Sequence, residues 1–175
     1  MLQSTLMRME QTEPVLIVEY DPLWPAAFES LRERGTVVLR SLAIAIEHVG
    51  GTAVPGLCSK PIIDLDVVVR AEDVRAAIAA LETLGYQHLG DLGVLGRDAF
   101  RSPVGAARHH LYVCAEESPA LRSHLLFRDY LRAHPDAARE YGKLKRDLAV
   151  QHQKNRSGYT EAKSEFIESV LKRAV

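Results

Sequence analysis

Asp64 and Asp66 stand two residues apart within Ile62–Val69, a run otherwise made of Ile, Leu and Val. Alternate side chains of a strand share a face, so both carboxylates point one way and Ile63, Leu65 and Val67 the other. Their Cα atoms then lie roughly 6–7 Å apart, within reach of one hard cation. Without a cation the two repel, and one tends to hold a proton. Magnesium suits such a pair, because it takes oxygen ligands and completes its shell with water or phosphate oxygens. Aspartate is a poor strand residue, and the aliphatic flanks point to a central strand buried on both faces. Carboxylates placed there need a partner or a metal. The chemistry expected of Asp64 and Asp66 is therefore metal binding at a polyphosphate-handling site.

Several nearby residues fit the same site. Gly50-Gly51 follows an apolar segment, and a glycine pair there lets backbone N–H groups approach a phosphate closely. Thr52 either adds a hydroxyl to that anion or caps a turn. Lys60 reaches a phosphate at the mouth of the aspartate strand, or is a solvated loop lysine. His48 contacts ligand or is a packed, hydrogen-bonded histidine. In Arg108-His109-His110-Leu-Tyr112, alternation puts His110 and Tyr112 on one face. If that strand neighbours the aspartates, both flank the metal or act in proton transfer. No His-Glu-x-x-His or other zinc spacing occurs. His124, His134 and His152 fall in helical segments and read as surface or packing residues. Arg128, Lys143, Lys145, Arg146 and Lys163 read mainly as solvated helix-face charges with acidic neighbours. Arg128 and Lys163 lie beside Phe127, Tyr130 and Tyr159, which allows them to point into the cleft.

The elements that must position these residues are legible from periodicity and breakers. Pro14–Tyr20 reads as a first strand or extended lead-in. A helix is expected over Leu23 to Ser41 with Trp24, Phe28, Leu31 and Val38 inward. Strands are expected at 43–49, 62–69, 86–89, 98–101 and 109–115, the last two antiparallel, with a helix over 71–84 stopped by Gly85. After Pro119 the pattern turns helical, over 121–133, 135–153 and 160–174, broken at His134-Pro135 and at Asn155–Gly158. The order gives an α+β (mixed α/β) fold, one mixed sheet with helices packed against it.

At 175 residues, 47% hydrophobic and 26% charged, the chain has the composition of one ordinary globular domain able to bury a core. The first 12 residues are polar, not a signal peptide, and read as a flexible arm preceding a domain from residue 13. Within it, 13–117 forms the α/β core and 118–175 the helical part. Lys and Arg total 22 against 23 Asp and Glu, so no overall field recruits nucleic acid or membrane. Cys58 and Cys114 suggest no disulfide framework, and a reducing cytoplasm is expected. No run approaches membrane-spanning length. The sequence leaves the oligomeric state open.

The stretch from His48-Val-Gly-Gly-Thr-Ala-Val-Pro-Gly-Leu to Lys60-Pro-Ile-Ile-Asp-Leu-Asp66 resembles the signature of GrpB-like proteins, a branch of the nucleotidyltransferase superfamily. Tyr20-Asp-Pro-Leu-Trp-Pro, His110-Leu-Tyr-Val, Leu126-Phe-Arg-Asp-Tyr-Leu-Arg and Tyr159-Thr-Glu-Ala-Lys163 match as well. The resemblance implies a nucleotidyltransferase α/β core with a helical extension. It also implies magnesium (or manganese) and a nucleoside triphosphate, held by a glycine pair, Asp-hydrophobic-Asp and a third carboxylate on a later strand. Here the later strand offers His110 and Tyr112, where many GrpB-like chains carry His-x-His. Asp98 is the nearest upstream acidic residue able to substitute.

Three functions follow. The first is magnesium-dependent nucleotidyl transfer to a small molecule. Asp64 and Asp66 would hold metal, Gly50, Gly51, Thr52, Lys60, Arg128 and Lys163 would hold phosphate, and His110 would be the base. The second is a nucleotide- or phosphoester-binding accessory module, since GrpB-like domains also occur fused to a coenzyme A biosynthesis kinase. The third is a cleft repurposed for another small-molecule reaction using His110 and Tyr112. With no basic stripe, small substrates are favoured over polynucleotides.

Overall fold

Asp21 accepts a hydrogen bond from the Leu23 amide (2.9 Å) and Pro25 sits in the first turn, so the chain enters its first helix at Trp24. In the computed structural model, residues 14–153 and 155–174 are described. The expected N-terminal arm lies outside them. The elements run α1 (Trp24–Leu39), β1 (Ala43–Val49), β2 (Ile63–Val69), α2 (Val74–Glu82), β3 (Gln87–Gly90), β4 (Arg97–Arg101), β5 (His109–Ala115), α3 (Pro119–Ala133), α4 (Pro135–Gln151), α5 (Arg156–Ala162) and α6 (Ser164–Arg173).

The five strands form one sheet in the order β1-β2-β5-β4-β3. β2 and β5 are parallel at its centre, while the other neighbours pair antiparallel. This is the expected α+β fold with a mixed sheet. Of the two readings of Pro14–Tyr20, the lead-in holds: among the described residues it makes one bridge, Val18 to Ser59, and no named strand. The last expected helix divides at Lys163 into α5 and α6.

Alternation along β2 sorts the core. Val67 and Val69 pack with Leu39, Ala77, Leu81, Phe100, Leu111 and Val113 beneath α1 and α2. Ile63 and Leu65 join Trp24 and Phe28 on the same side. Gly35 is buried because α1 lies close to the sheet; a Cβ there would stand 3.2 Å from Ile46 Cδ1. The other face carries Asp64, Asp66 and Val68, and α3 crosses it with Leu121 against Val68 and Cys114. Ser118 caps α3 by accepting from the Leu121 amide (3.2 Å). Beyond α3, Tyr141 of α4 packs with Val54, Leu57 and Leu131, with Phe166 of α6 partly buried against them. The sheet face bearing the aspartates is thus roofed by helices from the C-terminal third.

Leu81 has no exposure in the core beneath the other face. Leu81→Ala is expected to lower unfolding free energy by about 2–5 kcal/mol, read as a reduced urea midpoint at an unchanged m-value.

Candidate functional site

The parallel register of β2 and β5 sets Asp64 beside His110 and Asp66 beside Tyr112, all on the roofed face. Each aspartate meets a histidine. His110 Nδ1 donates to Asp64 Oδ1 (2.8 Å), and His124 Nδ1, reaching down from α3, donates to Asp66 Oδ2 (2.7 Å). An ionised carboxylate only accepts, so Nδ1 carries the hydrogen in both rings. In the neutral form, Nε2 is the basic nitrogen. Asp66 has no exposure, and its Oδ1 has no hydrogen-bond partner among the described residues.

The glycine pair closes against these groups. Gly50 has φ 72°, and a Cβ there would collide with Asp64 Oδ2. A Cβ on Gly51 would collide with Ser59 Oγ and stand 2.9 Å from Lys145 Nζ. Close approach and backbone angle both favour glycine at Gly50, and close approach alone at Gly51.

Lys145 is corrected from a solvated helix charge to a buried one, 3% exposed. Its Nζ has no hydrogen-bond partner among the described residues and lies 4.8 Å from the Tyr141 ring centroid. Burial pushes its pKa down to about 7; nearby Lys163, Arg146 and Lys60 push the same way, and Cys58 opposes them. Lys60 and Lys163 stand over the buried Tyr159 ring, at 5.3 and 4.5 Å from its centroid. The three lysines, Gly50, Gly51, Asp64, His110 and His124 line one cleft of about 370 Å³. Lys145 and Lys163 line it from the C-terminal helical part and Lys60 from the loop before β2, while Asp64 lines it from β2.

Other candidates are held elsewhere. Thr52 is buried; its hydroxyl donates to Ile62 O (3.4 Å) and accepts from His48 Nε2 (2.9 Å). His48 stacks on Phe28 (4.6 Å between centroids), and burial, the largest cause, pushes its pKa down to about 4. This pair pins the turn after β1 from beneath and does not line the cleft. Arg128 does not line it either. Its Nη1 donates to Glu47 Oε2 (2.6 Å) and His48 O (3.1 Å), and its Nε to Asp129 (2.7 Å), fastening α3 to β1. Glu47 neighbours Asp66 across β1 and β2, but Arg128 engages its carboxylate. Asp98 cannot supply a third carboxylate. It pairs with Val113 in register, so it faces the opposite side of the sheet, where it accepts from His88 (2.7 Å).

His124 and Lys145 escaped sequence reasoning although a signal existed. Leu121, His124, Arg128 and Leu131 share a helical stripe at i, i+3, i+7 and i+10, and Ala137, Tyr141, Lys145 and Leu148 share another. A polar residue in an otherwise inward stripe is a candidate for the site.

Among the described residues, no group of three or more His, Cys, Asp or Glu side chains is arranged to hold a metal ion. Magnesium needs less. One or two carboxylates plus substrate phosphates and water suffice, and the orphaned Asp66 Oδ1 beside Asp64 fits that demand.

Comparison with known proteins bears on the fold and the family. The Cid1 poly(U) polymerase, solved with MgGTP bound, aligns at a TM-score of 0.54 and 11% identity, over 86% of this chain and 47% of that one. The likeness defines a nucleotidyltransferase fold. The family model described as "GrpB protein" matches residues 14–173, and the chain belongs to the GrpB family. The GrpB structure from Enterococcus faecalis aligns at a TM-score of 0.81 with 34% identity, covering 91% of this chain and 96% of that chain. The UPF0157 protein YqkA of Bacillus subtilis is 38% identical over 91% of this chain, which spans only 47% of YqkA. The UPF0157 protein PA4798 of Pseudomonas aeruginosa is 39% identical over 91% of this chain and 67% of its own length.

Two pH effects follow. Lys145 binds its proton more weakly folded (about 7) than unfolded (10.5). The unfolded state therefore holds more protons in that window, and stability rises with pH across it. The stability of wild type relative to Lys145→Met should climb from pH 7 to 10 in urea unfolding; a flat difference would refute the burial of a charged amine. For His48 the full contribution is present above pH 6.5 and is lost as pH falls through about 4. That loss is on the order of 3 kcal/mol, and His48→Gln should flatten this acid limb.

Proposed function

We propose that the cleft binds a nucleoside triphosphate with magnesium or manganese and transfers its nucleotidyl group to a small-molecule acceptor. One observation carries the reading: Asp64 lines one cleft with Lys60, Lys145, Lys163 and the Gly50-Gly51 turn, and the buried Asp66 follows it on the same face of β2. Asp64 and Asp66 would hold the metal, which when bound neutralises charge on the transferring phosphoryl group. Lys145, already stripped of water, gives up less hydration on meeting phosphate than an exposed lysine would. Lys60 and Lys163 add charge at the mouth. His110, oriented through Nδ1 by Asp64, accepts the acceptor hydroxyl's proton at Nε2. The oxygen then bonds to the α-phosphorus, the bond to the leaving pyrophosphate breaks, and no redox partner is needed.

A binding module without transfer is the second reading. It is favoured by His110 and Tyr112 on the strand where the superfamily pattern has a carboxylate. A relative named dephospho-CoA kinase, from Mycolicibacterium paratuberculosis, is 25% identical over 92% of this chain, which spans 46% of it. A separate activity elsewhere in such a protein would leave this cleft a supporting role.

Among the described residues no helix is long and apolar enough to cross a membrane. We take the setting to be the cytoplasm, which suits two buried free cysteines.

A thermal-shift screen of ribonucleoside triphosphates with and without magnesium or manganese tests the reading. Ligand at 100 times Kd adds about 2.7 kcal/mol of apparent stability. The metal-dependent shift should vanish in Asp64→Asn and Asp66→Asn. His110→Ala should keep the shift and lose pyrophosphate release. Shift without pyrophosphate release in wild type favours the binding module, and an unaltered shift in both aspartate variants defeats the metal site.

A further inference from the structure

Each aspartate of the pair gives up one oxygen to a histidine. His110, on β5, donates from Nδ1 to Asp64 Oδ1 at 2.8 Å, and His124, on α3, donates from Nδ1 to Asp66 Oδ2 at 2.7 Å. The rings come from different layers, yet each engages its carboxylate through the same nitrogen. One oxygen remains on each aspartate. Asp66 Oδ1 has no hydrogen-bond partner among the described residues. Asp64 Oδ2 faces Gly50, at the place where a Cβ would collide with it. Glycine there keeps a methyl group from the one side of Asp64 that its histidine does not take.

Both histidines are held by the fold. The parallel register of β2 and β5 sets His110 beside Asp64. Arg128, on the same helix as His124, bonds Glu47 and the His48 carbonyl and so fixes where α3 crosses. The Tyr112 ring stands 6.4 Å from the His110 ring and 6.3 Å from the His124 ring between centroids, so an aromatic side chain accompanies both. A carboxylate bonded in this way is restricted in the oxygens it can offer and in how far it can turn.

That restriction acts differently on different hard cations. Calcium gathers many oxygens, often both from one carboxylate, in a flexible shell of long bonds. Magnesium takes a near-ideal octahedron of short bonds, uses one or two carboxylates, and fills the rest with water and phosphate oxygens. Manganese accepts the same octahedral oxygen set.

We propose that His110 and His124 determine which cation the cleft accepts: by holding one oxygen of each aspartate they confine the pair to one-oxygen ligation, which admits magnesium or manganese and disfavours calcium. The inference rests on Asp64 and Asp66 being the metal ligands. The histidines act through the aspartates and are positioning residues in this role.

Electron paramagnetic resonance of free Mn2+ gives the manganese affinity of the full chain, and displacement by Mg2+ or Ca2+ gives theirs. Wild type should bind Ca2+ roughly tenfold or more weakly than Mn2+. His124→Ala removes the donor and leaves room for both oxygens of Asp66, so it should narrow that gap by roughly fivefold. His110→Ala should do the same at Asp64, and it stands as an independent variant if loss of His124 disturbs α3. His124→Asn, whose amide nitrogen can take the place of Nδ1, should keep the wild-type ratio. Equal affinities of wild type for Ca2+ and Mn2+ overturn the proposal. So does a uniform loss for every cation in both alanine variants, which would leave the histidines a structural role alone, and so does His124→Asn behaving as His124→Ala. Manganese binding that survives Asp64→Asn and Asp66→Asn unchanged defeats the underlying metal reading by a separate signal.

Discussion

The burial of Asp66 is the constraint to which the surrounding structure answers. A carboxylate with no exposure at the centre of a sheet is costly to ionise unless donors or cations surround it. His124 satisfies one oxygen, which obliges α3 to cross the sheet where it does. Arg128, four residues further along the same helix, then reaches Glu47 and the His48 carbonyl and fixes the crossing. The helix that roofs the sheet is thus oriented by polar contacts on one stripe, with Leu121 and Leu131 supplying the apolar remainder. Position of the roof and electrostatics of the site are one problem with one solution.

Lys145 has no hydrogen-bond partner among the described residues, while Asp64 and Asp66 are each met by a histidine. Lys145 and the aspartates belong to different layers, and the Gly50-Gly51 turn separates them. If the two signs were paired, the cleft would close on itself as a buried salt bridge, a modest contributor to stability and no use for ligand. Held apart, Lys145 and Asp64 both line the cleft. The tight contacts of Gly50 with Asp64 and of Gly51 with Ser59 and Lys145 show how little spare volume that arrangement has.

Much of this was legible before folding. Alternation around Asp64 and Asp66 placed both on one face, and His110 and Tyr112 fell on the matching face of β5. These are local, period-two facts. The glycine pair gave the turn. What stayed hidden depends on long-range contact. His48 and Thr52 look like ligand groups in sequence, yet each satisfies the other beneath the turn. Arg128 looks inward-pointing and is, but its target is Glu47. His124 and Lys145 lie on stripes that periodicity marks as inward. A polar residue in such a stripe can equally be read as a tolerated exception, and only the packing of α3 and α4 onto the sheet decides. Asp98 could not be assigned to a face until the register of β4 against β5 was known.

Lys145 also bears on what the helical roof is for. It sits at 3% exposure with no hydrogen-bond partner among the described residues, leaving the contact of α4 with the cleft one acceptor short. A polyanion entering the cleft would complete that contact and act as a keystone, part ligand and part scaffold. The order of the C-terminal helices would then be a reading of occupancy.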